Sequence, residues 1–382
     1  MDTLSKDSGT TGEPVPSSPD QAGRWRFWAG LALAVVLGGI VGGALVAVVT
    51  RGNSPAAAST AAAPAGASVC SATDVADKTL PTVVTISASN GQSGGTGSGE
   101  IIRGDGYILT NNHVISVAAN GGHVSVVFSD GHSAPATITG RDPKADLAVI
   151  KIDGQPPLPV IPFGSSKDVV VGQPVVALGA PLGLSNTVTS GIVSALDRTV
   201  EVPGDNGQTA LLVSALQTDA AINPGNSGGA LVNCAAQLVG VPAAGASIPE
   251  PGVGGGGSSG SIGLGFAIPV DLAKSISDEI IATGTVTHSY FGLVAATLPP
   301  AVATANGQQG GIFVTSVVPG GPAATTGLRA GDVITAIDGQ PATSTQDLAA
   351  VTLSKKPGET VKLDYIRDGR SQTATVTLGV QP

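Results

Sequence analysis

The sequence predicts a mainly β protein: an all-β region of barrel or sandwich type, then a smaller α+β domain, behind a single N-terminal transmembrane helix. Three observations carry this. From about residue 75, short apolar runs alternate with Gly and Asp turns: TVVTIS, GYILTNNHVI, HVSVVFSDGH, LAVIKID, QPVVALG, TVTSGIVSAL and ALVNCAAQLVGV. Such spacing marks many short strands. The chain holds 55 glycines in 382 residues and only 3% aromatic side chains, a balance that glycine turns and flexible linkers produce together. Residues 27–49 carry no charge at all.

Taken in order, residues 1–26 are polar and rich in Pro, Ser, Gly and Asp, which predicts a disordered cytoplasmic N-terminus. The segment FWAGLALAVVLGGIVGGALVAVV at 27–49 spans roughly 34 Å as a helix, enough for a hydrocarbon core. Arg24 and Arg26 precede it and only Arg51 follows closely. The positive-inside rule then places the N-terminus in the cytoplasm and the bulk of the chain outside. Trp25 and Trp28 stand where interfacial aromatics stand. A cleaved signal peptide is the competing reading, but the run exceeds a usual signal core and follows a long polar leader. The expectation is a single-pass protein of the cell membrane. Residues 50–74 read as a flexible tether.

The β region then runs over 75–286. VDLAKSISDEIIATG at 270–284 has helical apolar spacing and stops at a Gly, so one helix closes it. GASIPEPGVGGGGSSGS at 245–261 is a low-complexity loop between two apolar runs. The second domain, 287–382, shows strands GIFVTSV, DVITAID and TVKLDYIRDG. Two short helices are predicted there. One lies near 322–326, opened by Pro322 and stopped by Gly327. The other lies at 344–354, with a Ser-x-x-Asp start at Ser344 and Asp347.

Charge and composition exclude several functions. Only 12% of residues are charged and the formal net charge is −9. An acidic chain without a Lys/Arg cluster repels phosphate backbones, so nucleic acid is not a partner. Two cysteines and four dispersed histidines make no metal-ligand spacing. No metal or other cofactor is expected.

The candidate chemistry lies in three separate segments. Ser227 stands in DAAINPGNSGGAL, His113 in GYILTNNHVI and Asp146 in PKADLAVIKID. A serine hydroxyl attacks only when a base takes its proton. The glycines beside Ser227 let the turn Pro224–Gly229 aim consecutive backbone N–H groups at one point, where the amides of Gly225 and Ser227 would hold an oxyanion. Taken singly, each residue has an ordinary reading: a turn serine, a structural strand-end histidine, a capping aspartate. Together they run His, Asp, Ser, about 33 and 81 residues apart. That order differs from the Ser, Asp, His order of α/β-hydrolases.

TNNHVI, ADLAVIKI, INPGNSGGAL and GFAIPV, in sequence, resemble the HtrA (DegP/DegS) family of trypsin-like serine proteases, over about residues 75–380. The resemblance implies two six-stranded antiparallel barrels with the active site between them. It puts the family's base on His113, its orienting carboxylate on Asp146, its nucleophile on Ser227 and its oxyanion donors on the amides of Gly225 and Ser227. Combined with the 27–49 segment, it predicts a membrane-anchored member that cleaves misfolded or exposed proteins outside the cytoplasm. It also implies homotrimers.

The family's pocket floor falls on Ala221 and Ile222, and its wall on Gly265, Phe266 and Ala267, an apolar set that favours aliphatic side chains. In one place the chain departs from the family. GVPAA at 240–244 stands where GINTA is usual, and Pro242 has no N–H for a substrate ladder. Tyr290, Phe291, Gly292 and Leu293 resemble the carboxylate-binding loop of a PDZ domain, which takes peptide C-termini beside an open sheet edge. Cys70 and Cys234 are either a disulfide in an oxidising compartment or two free buried thiols. A chaperone or PDZ-based sensor with latent proteolysis is the alternative function.

Overall fold

The computed structural model describes residues 70–154, 157–180, 187–245, 261–305 and 310–382. The disordered segment expected at 1–26, the helix at 27–49, nearly all of the tether and residues 246–260 of the low-complexity loop lie outside the described residues.

Two closed barrels form the first part. Barrel one contains β1 (Val83–Ser89), β2 (Gly94–Arg103), β3 (Tyr107–Thr110), β4 (His123–Val127), β5 (Ser133–Asp142) and β6 (Leu147–Lys151). Barrel two contains β7 (Pro174–Gly179), β8 (Thr187–Pro203), β9 (Thr209–Thr218), β10 (Ala230–Val232), β11 (Leu238–Gly245) and β12 (Gly265–Pro269). Their spatial orders, β1-β2-β3-β6-β5-β4 and β7-β8-β9-β12-β11-β10, are the same path walked twice. All pairings within both barrels are antiparallel. Closure leaves neither barrel an unpaired edge.

Alternation along each strand builds the core. Val84, Ile86 and Ala88 of β1 point into barrel one with Ile101, Ile108, Val126 and Ile150. Leu216, Ile222, Leu231 and Ala267 fill barrel two. The opposite faces meet between the barrels, where Leu109, Leu147, Val176, Leu178 and Leu238 form one continuous apolar cluster. A fully buried Leu or Ile contributes about 1.5–3 kcal/mol by leaving water, so this seam is held mainly by apolar burial.

Six helices complete the described chain: α1 (Ala72–Thr79), α2 (Asn112–Ile115), α3 (Val270–Thr283), α4 (Pro300–Ala305), α5 (Pro322–Thr325) and α6 (Thr345–Ser354). The Ser71 hydroxyl accepts the Asp74 N–H at the start of α1. Just before it, Cys70 is bonded to Cys234 in the β10–β11 turn, with Cα atoms 5.1 Å apart.

The C-terminal sheet runs β14 (Leu293–Leu298), β15 (Gly311–Val317), β16 (Val333–Ile337), β18 (Thr360–Arg367), β19 (Arg370–Thr377), and β17 (Gln340–Pro341) pairs with β16. A separate pair joins β13 (Ser289–Tyr290) to β20 (Gly379–Val380). Its own core centres on Phe291, Ile312, Val314, Leu348, Val361 and Tyr365. His288 Nε2 lies 2.9 Å from Oδ1 of Asp142, at the end of β5, and ties this domain to barrel one.

One predicted feature of the fold class requires correction. The fold is two six-stranded antiparallel barrels plus the α+β domain, and no helix among the described residues is long and apolar enough to cross a membrane. The expectation of a transmembrane helix rested on length and lack of charge.

Candidate active site

Barrel one supplies His113 and Asp146. His113 sits in the single turn of α2, which follows β3 directly. Asp146 precedes β6, with φ at +54°, a left-handed conformation that Asp tolerates better than most residues. Its side chain is 1% exposed, while that of His113 is 34% exposed. Oδ2 of Asp146 lies 2.8 Å from His113 Nδ1, and Oδ1 accepts the His113 backbone N–H at 3.0 Å. The Asp146 carbonyl accepts the Asn111 side-chain amide and the Asn112 N–H. The carboxylate therefore grips both the ring and the backbone of the histidine, and its own backbone is gripped in return.

Barrel two supplies the turn Pro224–Gly229. Gly225 takes φ +102° and Gly228 φ +77°. A Cβ on Gly228 would lie 2.3 Å from Thr110 Oγ1 and 2.9 Å from the Asn111 nitrogen. The Ser227 turn thus presses on the end of β3, two residues from His113. The amides of Gly228 and Gly229 are engaged, by the carbonyls of Pro242 and Asn226. Those of Gly225 and Ser227 donate to no group among the described residues. No hydrogen bond joins Ser227 Oγ to His113 Nε2, the ring nitrogen that Asp146 leaves free; catalytic bonds of this kind commonly tighten only when substrate is bound.

Two further sets of residues, given no role in the sequence analysis, position this site. Ser98 on β2 donates its hydroxyl to the Gly225 carbonyl at 2.6 Å and its backbone N–H to the Ser227 carbonyl at 2.9 Å. The same hydroxyl accepts the Ala180 N–H at 2.8 Å. One serine of barrel one therefore clamps the turn of barrel two. Asn112, beside His113, donates to Asp205 and accepts from Arg141, and Arg141 closes the ring on Asp205 at 2.8 Å. For Ser98, its place among glycines in GTGSGE was the sole local cue.

The residues expected to form a pocket divide by face. Gly265 stands against Ile222, since a Cβ there would lie 2.5 Å from Ile222 Cγ1. Ile222 and Ala267 are buried together in barrel two. Phe266 points to the other face of β12 and packs on the seam cluster. The Ala221 carbonyl accepts the Asn226 and Thr189 side chains. Pro242 opposes Ala267 across β12, just before a register shift at Ala244, and its carbonyl serves the Gly228 amide.

In the C-terminal domain, Tyr290 ends β13, Gly292 has φ +73° and Leu293 begins β14. These residues line one end of a cavity of about 390 Å³, with Leu348 and Leu353 of α6 on its wall. Among the described residues β14 is bonded only to β15, which leaves its other side an open edge.

Comparison with known proteins agrees with this geometry. Residues 97–241 match the trypsin-like peptidase domain family and residues 300–378 match the PDZ domain family. A serine protease named PepD from Mycobacterium tuberculosis is 44% identical over 365 residues, covering 91% of this chain and 76% of that protein. The Do-like serine protease HtrA of Lactococcus lactis is 40% identical over 305 residues, covering 76% of this chain and 73% of that protein. A probable periplasmic DegP-like serine endoprotease of Pseudomonas fluorescens is 40% identical over 288 residues; the chain spans only 56% of its length. Among solved structures, the HtrA-type protease AlgW with decapeptide superimposes with a TM-score of 0.63 at 32% identity, over 82% of this chain and 99% of that one.

These relatives also correct the expected location. Several are named as periplasmic endoproteases rather than membrane-anchored ones. The expectation of a membrane-anchored, single-pass protein is therefore withdrawn, and with it the membrane as a partner.

Proposed function

The chain belongs to the HtrA family of serine proteases, and on that premise we propose that His113, Asp146 and Ser227 are its catalytic triad. The protein is an extracytoplasmic serine endopeptidase with a PDZ domain. The observation that best supports the assignment is the buried Asp146 carboxylate bonded to both the ring and the backbone of His113, beside a turn whose Gly225 and Ser227 amides are unengaged among the described residues.

Asp146 accepts the Nδ1 proton and so fixes the tautomer that leaves Nε2 basic. As Ser227 Oγ attacks a peptide carbonyl, Nε2 takes its proton. The amides of Gly225 and Ser227 receive the oxyanion, where preorganised donors are worth most. Nε2 then protonates the leaving amine, and water resolves the acyl-enzyme by the same path. Ala221, Ile222, Gly265 and Ala267 are the proposed apolar pocket, which suits a small aliphatic side chain, and Phe266 backs it from the opposite face of β12. Misfolded extracytoplasmic proteins are the proposed substrates. Protease chemistry occupies 75–286, and peptide sensing by the Tyr290–Leu293 loop occupies 287–382. Assembly as a homotrimer belongs to the same proposal.

The Ser227→Ala variant tests the nucleophile. Its cleavage of an unfolded protein substrate falls by roughly 10⁴- to 10⁶-fold, and it no longer reacts with a fluorophosphonate. Turnover near that of the unmodified chain would end the assignment.

A further inference from the structure

We propose that Lys144, contributed by barrel one, is the cationic anchor for the C-terminal carboxylate of a peptide seated in the PDZ groove. The inference rests on reading Tyr290–Leu293 as the carboxylate loop. It adds to that loop a residue from outside the PDZ domain.

The groove is not built by one domain. Its lining includes Lys144, Thr209 and Leu211 of the protease barrels as well as the loop and α6. Lys144 is the one charged residue in that lining; the rest are apolar or neutral. Its Nζ donates to the side-chain carbonyl of Gln381, which lines the same cavity and follows β20, the strand paired with Ser289–Tyr290. The ammonium is thereby held at the loop end of the groove. Its partner there is neutral, and it forms no ion pair among the described residues. The backbone of Lys144 is fixed as well, by N–H donation to Asp142 and by the Leu211 amide on its carbonyl.

A peptide adding to the open edge of β14 antiparallel to it brings its last residue to Leu293 and its carboxylate to the loop. Backbone amides alone offer that carboxylate partial charges. The Lys144 ammonium, exposed at the edge of the same cavity, supplies a full one, and charge-assisted hydrogen bonds are about twice as strong as neutral ones. Lys144 and Gln381 are both exposed, so solvent screens the pair and its contribution is modest; what it adds is a preference for a free carboxylate over a blocked one. Recognition of a free C-terminus is therefore divided between the domains, and the occupant is a peptide with an apolar last residue and an unblocked carboxylate.

The test uses the full chain carrying Ser227→Ala, to prevent cleavage. The probes are fluorescent decapeptide pools ending in Val, Leu, Ile or Phe, made as free acids and as C-terminal amides. Binding is read by anisotropy. With Lys144 intact, the acids bind more tightly than the amides. Lys144→Met weakens acid binding roughly 2- to 5-fold, leaves amide binding nearly unchanged and so shrinks the acid-to-amide ratio, while Lys144→Arg restores most of it. Equal weakening of acids and amides, or no weakening, overturns the role of Lys144 while leaving the groove intact. Failure of the Lys144-containing chain to bind any free-acid pool overturns the reading of the groove, and the anchor with it.

Discussion

Glu100 shows how a residue can work against the fold that holds it. It lies mid-strand in β2, paired across to Val83 and Leu109, both members of the seam cluster. Its side chain is fully buried, and neither carboxylate oxygen has a hydrogen-bond partner among the described residues. Burial holds its pKa well above the ordinary 4.5. An acid whose pKa is higher folded than unfolded binds its proton more tightly in the native state. The penalty is therefore absent below the ordinary carboxylate range and grows as pH rises toward the folded pKa. Replacing Glu100 with Met removes the charge at nearly constant volume. The expected gain is about 1–4 kcal/mol near neutral pH, shrinking toward pH 4, as read from thermal melts across that range. An equal gain at every pH would show that packing and not ionisation governs the site. The composition and strand pattern place an apolar side chain at this position as readily as a Glu, so nothing in the chain's local sequence announced the buried acid.

Among elements, those built from near neighbours were the legible ones. The helix expected over 270–284 is α3, Val270–Thr283, ended by Gly284 with φ +79°. The Ser-x-x-Asp start at 344 is a capping box: the Ser344 hydroxyl accepts from the backbone of Asp347, whose carboxylate accepts the Ser344 N–H. Substituting Ser344 with Ala should cost about 1 kcal/mol. Because α6 walls the peptide groove, the effect is best seen locally, as faster amide hydrogen exchange across Thr345–Ser354 with exchange in the barrels unaltered. The motifs around His113, Asp146 and Ser227 were readable for a related reason, since each is a short string held in one local geometry. Ser98 was not. Its partner Gly225 lies 127 residues away, and only the docking of one barrel on the other brings them together. The Asn112–Arg141–Asp205 ring escaped notice for the same cause. The repeated strand path of the two barrels left no sequence repeat, because burial needs only the alternation and not the identity of side chains.

At the scale of the whole molecule, the Cys70–Cys234 bond closes a loop across 164 residues, from the start of α1 to barrel two. On the chain-entropy model such a loop is worth about 5 kcal/mol, the upper end of what disulfides deliver. The double substitution Cys70→Ser with Cys234→Ser should lower the denaturant midpoint and steepen the slope, because the unfolded chain without the crosslink exposes more surface, and added reductant should then have no further effect. A midpoint that stays put would mean the bond adds nothing to the folded state.

The proposed base and nucleophile ride on different barrels, so on that proposal catalytic competence belongs to the seam and to neither half. The two Ser98 bonds to the Ser227 turn are short contacts with no slack. A stress that parts the barrels by little more than the reach of one such bond silences the enzyme while each barrel keeps its shape. Gentle heating is therefore expected to stop cleavage before far-UV circular dichroism changes, and cooling to bring it back.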